Sequence, residues 1–299
     1  MDDPFQMQRE LRYGAPVCDQ ILTGRHFTIG YSWYFRQAKW VLEIIKPNSA
    51  LLGIAFADGE RLDNFRADQR VPWRFRASLE AYVNSGFDRG HLVASANMDE
   101  TDIQNSETFL LSNMSPQVPR FNQGIWRDLE MEIRDLNARH YVLETYVLTA
   151  PVFDFNKEVK TIGTRQTQGG IDLPVPHAFV KSVFAEGRDG SFELWTFMMD
   201  NTDLDGPLED YLIETYLAEQ FVGGRFWDRV SGGDLDAQKK SKGKMWKTKS
   251  DLKGPWTEPK LSKLLERDVV EVALRLNLDA SIADRKSDTI AKILSHQNA

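Results

Sequence analysis

Three chemically versatile side chains, Asp88, Arg89 and His91, lie within the short segment FDRGH. His91 is of the side-chain type best able to accept a proton near neutral pH. Arg89 carries a planar guanidinium whose fork of donors suits a phosphate group, and Asp88 can orient that guanidinium or the turn. Glycines at positions 86 and 90 permit a tight turn or a close approach to a ligand. A base beside a phosphate-binding cation is what phosphodiester hydrolysis requires.

A second group of polar side chains follows in segment 113–130, NMSPQVPRFNQGIWRDLE. Apolar residues at positions 125, 129, 133 and 136 have helical spacing and predict a helix over residues 122–139. Asn122 and Glu130 then lie about 12 Å apart along the axis and about 80° apart around it. They can border one metal site, where Asn122 binds the ion directly and Glu130 acts through water. Mg²⁺ suits this set because it takes oxygen ligands and keeps several waters, and Mn²⁺ is the alternative.

The combination of DRGH, SNMSPQ and FN-x-x-x-W-x-x-LE resembles the DNA/RNA non-specific endonuclease family, over roughly residues 10 to 225. The resemblance implies an α+β fold with a ββα-metal core, in which a hairpin carries His91 and a helix carries Asn122. It also implies hydrolysis of DNA and RNA with little sequence preference, leaving 5′-phosphate ends. His91 would be the general base, and Arg61 or Arg89 would stabilise the charged phosphorane.

The same resemblance places an arginine facing the scissile phosphate in the region before DRGH. Arg61 is the closest match by its spacing to Phe65 and Asp68, and Arg66 is the second choice. The ordinary interpretation is that both are solvated loop arginines. Asn113 matches a family asparagine near the site, and its side chain could equally bond the loop backbone.

Other functions are compatible with parts of this pattern. A nucleic-acid-binding protein without activity, or an enzyme activated by a partner, would retain the basic surface, although the joint presence of His91, Asn122 and Glu130 argues for catalysis. An HNH-type nuclease needs histidines on the helix, and residues 122–139 contain none. A zinc metalloprotease is excluded by the lack of an HExxH motif.

The elements that must position these residues are visible as apolar patterns. Strands are predicted from β-branched and aromatic enrichment, and a closing helix is expected to start at Pro207-Leu208-Glu209. The predicted strands span His26–Phe35, Lys39–Lys46 before Pro47, Phe109–Leu111, Tyr141–Ala150 and residues 192–200, and the closing helix spans residues 206–230. Residues 47–84 are polar and predicted to be irregular.

The composition fits a soluble globular chain of one large domain with a small appendage, or of two domains. The single cysteine, Cys18, excludes an internal disulfide and a cysteine-based zinc site. The first ten residues contain no basic segment followed by an apolar one, so no secretory signal is expected and a cytoplasmic location is predicted. No run of about 18 apolar residues predicts a membrane span.

The net charge of −7 argues mildly against a polyanionic partner, but the charge is unevenly distributed. Between positions 239 and 260, eight lysines face only Asp251 and Glu258, a net +6, so the rest of the chain carries −13. Two tryptophans interleave with these lysines, an arrangement suited to base stacking and phosphate contact. The predicted nucleic-acid contacts are Lys242, Lys244, Trp246, Lys247 and Lys249. The alternative is a solvated linker whose tryptophans pack back on a domain.

Three units are predicted: an endonuclease domain over residues 1–232, a lysine-rich linker over 233–260 and a small helical module over 261–299. In the last, two helices over residues 261–278 and 284–294 loosely resemble the SAP and Rho-N modules that bind nucleic acid, and Ser287 or Asp288 is expected to cap the second helix. Docking of another protein is the alternative role. The predicted partners are DNA and RNA, with a homodimer and a restraining inhibitor or complex partner also considered.

Overall fold

A seven-stranded antiparallel sheet forms the centre of the computed structural model, which describes residues 8–46, 61–163 and 172–298. Its strands in spatial order are β1 (Gln20–Thr23), β2 (Phe27–Ser32), β3 (Gln37–Ile44), β6 (Val142–Val152), β9 (Ala178–Gly187), β10 (Phe192–Asp200) and β11 (Leu212–Ile213). Two small antiparallel pairs lie outside this sheet, β4 (Asp88–His91) with β5 (Met114–Gln117), and β7 (Thr161–Ile162) with β8 (Leu173–Pro174).

Helices cover both faces of the sheet. Within the described residues they are α1 (Asp102–Thr108), α2 (Pro119–Phe121), α3 (Arg127–Asn137), α4 (Thr215–Val222), α5 (Leu235–Lys239), α6 (Glu258–Lys263), α7 (Glu266–Arg275) and α8 (Lys286–Gln297). A π-helical turn, Asn122–Trp126, joins α2 to α3. Shorter 3₁₀ turns occupy Arg9–Leu11, Trp73–Phe75, Leu79–Tyr82, Ser95–Asn97, Leu111–Asn113 and Leu208–Tyr211.

The central strands are buried on both faces, so apolar residues alternate between two cores. On β3, Val41 packs in the core beside α3, whereas Trp40 and Leu42 pack in the core beside α4. β9 alternates in the same way, with Phe179 on the α3 side and Val180 on the α4 side. This two-sided burial explains why these strands are nearly continuous apolar runs. It also fixes the positions of the strand side chains that point toward α3.

The predicted α+β class is confirmed, as are the main strands. The predicted pair His26–Phe35 and Lys39–Lys46 corresponds to β2 and β3, which pair antiparallel. The predicted strands at 141–150 and 192–200 correspond to β6 and β10. Pro47, predicted to end the second strand, lies outside the described residues, and the region 47–84 is described only from residue 61 onward.

Two predicted elements are wrong. The apolar run Phe109–Leu111 is not a strand: it follows α1, forms one isolated bridge between Leu110 and Arg66, and enters a 3₁₀ turn. The closing helix does not start at Pro207, because Leu212–Ile213 pairs with β10 and the helix is confined to α4. Gly223 ends α4 in the left-handed conformation (φ 69°), which glycine adopts without steric cost.

The predicted helix over residues 122–139 is interrupted. The π-helical turn occupies its first five residues, and Gly124 departs from helical geometry with φ −105° and ψ −116°. Regular helix extends only over α3 and buries Leu129, Ile133 and Leu136, as the spacing predicted. The ideal-helix geometry that related Asn122 to Glu130 therefore does not apply, since π turns widen a helix locally.

The linker over residues 233–260 packs back on the protein, with Gln238 and Trp246 against the sheet and Trp256 in the core of the C-terminal helices. Lys239, at the end of α5, is buried and donates to Glu219 Oε1 on α4 at 2.7 Å. The indole of Trp246 is only 4% exposed and packs edge-on against Trp195 at 4.9 Å between ring centroids. The prediction that Trp246 stacks on nucleic-acid bases is corrected, because its ring is part of the protein core. The prediction that the tryptophans pack back on a domain fits, since Trp256 is also buried.

The C-terminal residues form three helices instead of the predicted two. Leu264 and Leu265 are extended and separate α6 from α7. The last helix begins at Lys286 after Arg285, whose side chain makes no cap, so Ser287 and Asp288 are not the cap. The three helices share a small hydrophobic core that includes Leu261, Val269 and Ile293. None of the helices in the described residues is long and apolar enough to cross a membrane.

Ion pairs join this C-terminal unit to the rest of the protein. Arg275 on α7 binds Asp135 on α3 at 2.9 Å, and Glu271 accepts from His140 Nδ1 at 2.9 Å. Arg267 forms a bidentate pair with Glu193 on β10 at 2.6 and 2.9 Å. The unit therefore rests on the C-terminal half of α3 and on the edge of β10.

Replacing Trp246 should destabilise the whole protein. We expect Trp246→Ala to lower the free energy of unfolding by about 3–5 kcal/mol, because it removes a large buried ring from the main core. Trp73→Ala is the matched control: Trp73 is 61% exposed, and exposed substitutions usually change stability by about 0.5 kcal/mol or less. Denaturant unfolding measures both, and equal effects for the two variants would contradict the assigned burial.

Candidate active site

The FDRGH segment forms one arm of a short hairpin. Its last four residues are β4, paired antiparallel with β5 in the register Asp88 opposite Gln117 and His91 opposite Met114. A Cβ at Gly90 would lie 2.0 Å from Gln117 Oε1, so a larger residue there would require the buried Gln117 side chain to move. The hairpin is tied to the large sheet by Ser115, whose hydroxyl lies 2.6 Å from Gln37 Oε1 on β3. The sheet therefore fixes the direction of the β4 side chains.

An open cleft of about 620 Å³ lies between this hairpin, the loop after it and α3. All five residues predicted from sequence as catalytic or metal-binding line it: Arg61, Arg89, His91, Asn122 and Glu130. The other lining residues are Asp63, Phe65, Asp88, Ala94, Ser95, Ala96, Gln123, Arg127, Met131 and Arg134. The fold thus brings together residues that are up to 69 positions apart in the sequence.

His91 sits at the base of the cleft against two phenylalanines. Its ring packs edge-on against Phe109 at 4.9 Å and Phe65 at 5.7 Å between centroids. Burial, together with the positive charges of Arg61 and Arg89, lowers the pKa of His91 to about 3. The imidazole is therefore neutral at physiological pH, so that one of its ring nitrogens carries a free lone pair. Its Nε2 atom has no hydrogen-bond partner within the described residues.

Arg61 and Arg89 pack on the faces of the same two phenylalanine rings. The guanidinium carbon of Arg89 lies 4.1 Å from the Phe65 ring centroid, and that of Arg61 lies 5.0 Å from the Phe109 centroid. Arg61 is further held by Asp63 at 2.7 Å and by the Ser95 hydroxyl at 3.0 Å. Cation–π contacts of this kind orient guanidinium groups while leaving donors free for a phosphate.

Two further residues considered from sequence lie elsewhere. Arg66 turns away from the cleft and donates to the carbonyl oxygen of Ser106 on α1 at 3.0 Å. Asn113 is fully buried and bonds the loop backbone, donating to Val93 O and Thr108 O and accepting from Val93 N. Of the two arginines proposed before DRGH, only Arg61 lines the cleft, and Asn113 has the structural role.

Asp88 connects the hairpin to the helical segment. Its Oδ2 atom accepts from Asn122 Nδ2 at 2.9 Å and from Gln123 Nε2 at 2.8 Å. The sequence suggested that Asp88 orients Arg89 or the turn, whereas the structure shows it orienting the two amides. Since the amide nitrogen of Asn122 is engaged, its carbonyl oxygen is the atom left to accept a cation or a donor.

Below Glu130, three buried polar residues project from neighbouring central strands. Lys181 on β9 lies 3.7 Å from Glu130 Oε1, donates to Thr149 Oγ1 on β6 at 3.0 Å, and lies 4.5 Å from the Trp126 ring centroid. Lys181 is 1% exposed. Burial raises the pKa of Glu130, and the charge of Lys181 opposes that rise. The ammonium group of Lys181 thus stabilises the carboxylate of Glu130 from the side of the sheet.

Glu43 on β3 completes this buried group. It is fully buried, and its Oε2 accepts from Asn97 Nδ2 at 2.9 Å, while Asn97 Oδ1 accepts from Arg134 at 2.9 Å. Burial raises the pKa of Glu43 to about 7, with Glu130 adding to the rise and Lys181 opposing it. A chain of contacts therefore runs from the sheet through Asn97 to Arg134, which lines the cleft.

Sequence reasoning missed several members of the site. Arg134 follows Glu130 by four residues, a spacing that places two side chains on one helix face and could have found it. Lys181 is the single charged residue in the largely apolar stretch 178–185 of β9, which signals a buried, paired lysine. Glu43 gave the same signal in β3. Gln123 and Arg127 carried no distinctive pattern.

The donor set fits a hard cation that keeps most of its water. Residues 8–46, 61–163 and 172–298 contain no group of three or more His, Cys, Asp or Glu side chains able to enclose a metal ion. The cleft instead offers the Asn122 amide oxygen, since the amide nitrogen is bonded to Asp88, and the carboxylate of Glu130, whose Oε1 lies 3.7 Å from Lys181 Nζ. One protein oxygen plus water is an arrangement that Mg²⁺ accepts and Zn²⁺ rarely does.

Comparison with known proteins identifies the family. The profile of the DNA/RNA non-specific endonuclease family matches residues 9–232, well over half of the chain. The chain belongs to this family. Its class of chemistry is therefore that of a hydrolytic nuclease.

Curated relatives of this endonuclease family agree. The chain is 36% identical to human mitochondrial endonuclease G over 217 residues, 71% of each protein. It is 32% identical to the Caenorhabditis elegans mitochondrial endonuclease G over 215 residues, 69% of this chain and 67% of that protein. Because these relatives are mitochondrial, the cytoplasmic location predicted from the first residues stays a prediction.

A solved structure of the EndoG/EndoGI complex, described as showing the mechanism of EndoG inhibition, has the same fold. It superimposes with a TM-score of 0.66 at 27% identity, covering 75% of this chain and 91% of that chain. The predicted endonuclease fold is therefore confirmed.

Because the pKa of Glu43 is raised, the difference in stability between wild type and Glu43→Gln should depend on pH. Between pH 4.5, the ordinary value, and about 7, the folded state holds a proton that the unfolded state has lost. Wild-type stability therefore falls with rising pH by at most about 3 kcal/mol relative to the variant, which cannot titrate there. Denaturant unfolding at pH 4.5, 6 and 8 measures this difference. Exposed Glu258→Gln is the control, and an unchanging difference for Glu43→Gln would contradict the assignment.

Proposed function

We propose that the protein is a Mg²⁺-dependent endonuclease that hydrolyses DNA and RNA with little sequence preference. The observation that carries the proposal is the convergence of His91, Arg61, Arg89, Asn122 and Glu130 on one open cleft. The cleft is lined by a base and guanidinium groups, which act on the phosphodiester backbone of a nucleic acid and not on its bases. Phosphate contacts carry no direct sequence information, which fits a nuclease that accepts both nucleic acids.

In the proposed reaction, the neutral imidazole of His91 takes a proton from water, and the water oxygen attacks phosphorus. The bond from phosphorus to the 3′ oxygen breaks and that oxygen takes up a proton from solvent, which leaves a 5′-phosphate and a 3′-hydroxyl. Arg61 and Arg89, held on the two phenylalanine rings, stabilise the negative charge of the phosphorane. Asn122 would hold Mg²⁺ directly and Glu130 through water, and the ion would neutralise charge on the phosphate and on the leaving oxygen.

His91→Ala should abolish cleavage and spare binding. General-base assistance contributes about 10²–10⁴-fold, so we expect at least that loss in supercoiled-plasmid cleavage with Mg²⁺, with unchanged affinity for DNA. Exposed His296 in α8 provides the control variant His296→Ala, and EDTA should stop the wild type. Cleavage by His91→Ala near the wild-type rate would refute the role of His91. An inactive wild type that binds DNA as well as His91→Ala would instead support a silent or partner-activated binding protein.

Arg61 and Arg66 form a matched pair for the second part of the mechanism. Arg61→Ala should lower kcat by about 10²–10³-fold, the cost of losing one preorganised transition-state donor. Arg66→Ala should leave kcat within a few-fold of wild type, because Arg66 bonds α1 and lies outside the cleft. Steady-state cleavage of a fluorescent oligonucleotide separates kcat from KM. Equal losses in both variants would remove Arg61 from its assigned role.

We also propose that an inhibitor protein restrains the nuclease activity. An unrestrained nuclease would damage the nucleic acids of its own cell, and the similar structure is described as an inhibited complex. A cleft this open is accessible to an inhibitor as well as to a duplex. Homodimerisation and a nucleic-acid-binding role for the C-terminal helices stay predictions.

A further inference from the structure

Residues 242–249, here called the lysine strap, lie outside the part of the chain matched by the family profile. Their backbone is held on the nuclease fold. Lys244 O accepts from Trp195 Nε1 at 2.8 Å, and Lys247 O accepts from Arg139. The backbone N–H of Lys249 donates to Glu132 Oε2 on α3 at 3.0 Å. Together with buried Trp246, these bonds anchor the strap through its backbone and one indole.

The lysine side chains of the strap are not used by this anchoring. Lys242, Lys244, Lys247 and Lys249 are all exposed. Other lysines of the basic segment do contact the protein: Lys239 is buried against Glu219. The strap therefore presents four ammonium groups to solvent from a fixed backbone, so little backbone entropy is lost when they meet a ligand.

The strap adjoins the active cleft through helix α3. Glu130 lines the cleft, and Glu132, two residues later, holds Lys249. Met131 between them is 46% exposed and lines both the cleft and a groove of about 900 Å³ bordered by Lys244 and Lys247. Two residues advance a helix by about 3 Å and turn it by about 200°, so Glu130 and Glu132 lie on opposite sides of α3. A strand bound at the catalytic centre would therefore reach the strap by crossing α3 at Met131.

Acidic residues also border the groove, and several are already engaged. Glu193 is paired with Arg267, Glu132 accepts from Lys249 N, and Asp251 accepts from Thr248 N. Because carboxylates line the groove itself, its interior repels phosphate groups. The exposed ammonium groups at its edge are suited to them, and they complement the arginines of the cleft in a chain whose net charge is −7.

We propose that the lysine strap is a second binding surface for the phosphate backbone of long nucleic acids, continuous with the active cleft. It rests on the proposed nuclease function and adds to it. The strap supplies affinity for substrate on one side of the scissile bond, without base stacking, and takes no part in bond breaking. Short substrates that fill only the cleft do not reach it.

The test compares two triple variants with the same change in charge. The strap variant is Lys244→Gln/Lys247→Gln/Lys249→Gln. The control is Lys240→Gln/Lys260→Gln/Lys292→Gln, at lysines in contact with Tyr216, with Pro255 O and with Asp279 O, respectively. Both full-length proteins are assayed on a long DNA duplex between 50 and 200 mM salt and on the small phosphodiester bis(p-nitrophenyl) phosphate.

For the strap variant, we expect KM for the duplex to rise about tenfold or more, because each lost phosphate contact removes counterion release. The slope of log(kcat/KM) against log[salt] should become shallower by roughly 0.9 per lost contact. Its kcat and its hydrolysis of bis(p-nitrophenyl) phosphate should match wild type, and the control triple should match wild type throughout.

Two results would separate the proposals. Duplex KM and salt slope equal to those of the control triple would overturn the strap proposal, and would leave the strap for an acidic protein partner. Failure of the wild type to hydrolyse either substrate would overturn the nuclease proposal first, and the strap proposal with it. A fall in kcat on the small substrate would place the strap in the catalytic machinery and also contradict the inference.

Discussion

The hydrogen bond from Asn122 to Asp88 is the constraint on which the site depends. Asp88 belongs to a two-stranded hairpin and Asn122 to a helical turn, and neither element can form the cleft alone. The bond sets the distance between them and commits the amide nitrogen of Asn122, so that its oxygen faces a ligand. Gln123 donates to the same carboxylate oxygen, which makes the connection bidentate from the side of the helix.

Aromatic rings and buried charges support this junction from two directions. Phe65 and Phe109 carry His91, Arg61 and Arg89 on their faces and edges, so one apolar platform both neutralises the imidazole and orients two cations. Beneath the helix, Lys181 and Glu43 project from the sheet. Burying such charges costs free energy unless they are paired. Lys181 is paired with Glu130 of the cleft, and Glu43 is linked to Arg134 of the cleft through Asn97. The sheet therefore fixes Glu130 and Arg134 through contacts that a surface loop could not provide.

The positions of the main strands could be predicted from sequence because β2, β3, β6 and β10 are enriched in β-branched and aromatic residues over several positions. Of the five predicted residues that line the cleft, four lie in two motifs of fixed spacing, whereas Arg61 was chosen only by its spacing to Phe65 and Asp68. Helix α1 was missed because its sequence, DIQNSET, has no apolar stripe, and Thr101 initiates it by accepting from Gln104 N. The run Phe109–Leu111 was misassigned because short apolar runs do not distinguish strands from buried turns.

The sequence by itself determined the family, because the motifs DRGH, SNMSPQ and FN-x-x-x-W-x-x-LE depend only on side-chain type and local spacing. Only the tertiary structure decided which arginine reaches the cleft, what Asp88 holds, and that Trp246 is core while its neighbouring lysines are free. Those outcomes depend on contacts between positions far apart in the chain, such as Trp195 with Trp246 and Lys181 with Glu130. Local patterns do not encode such pairings, since burial is set by the whole fold.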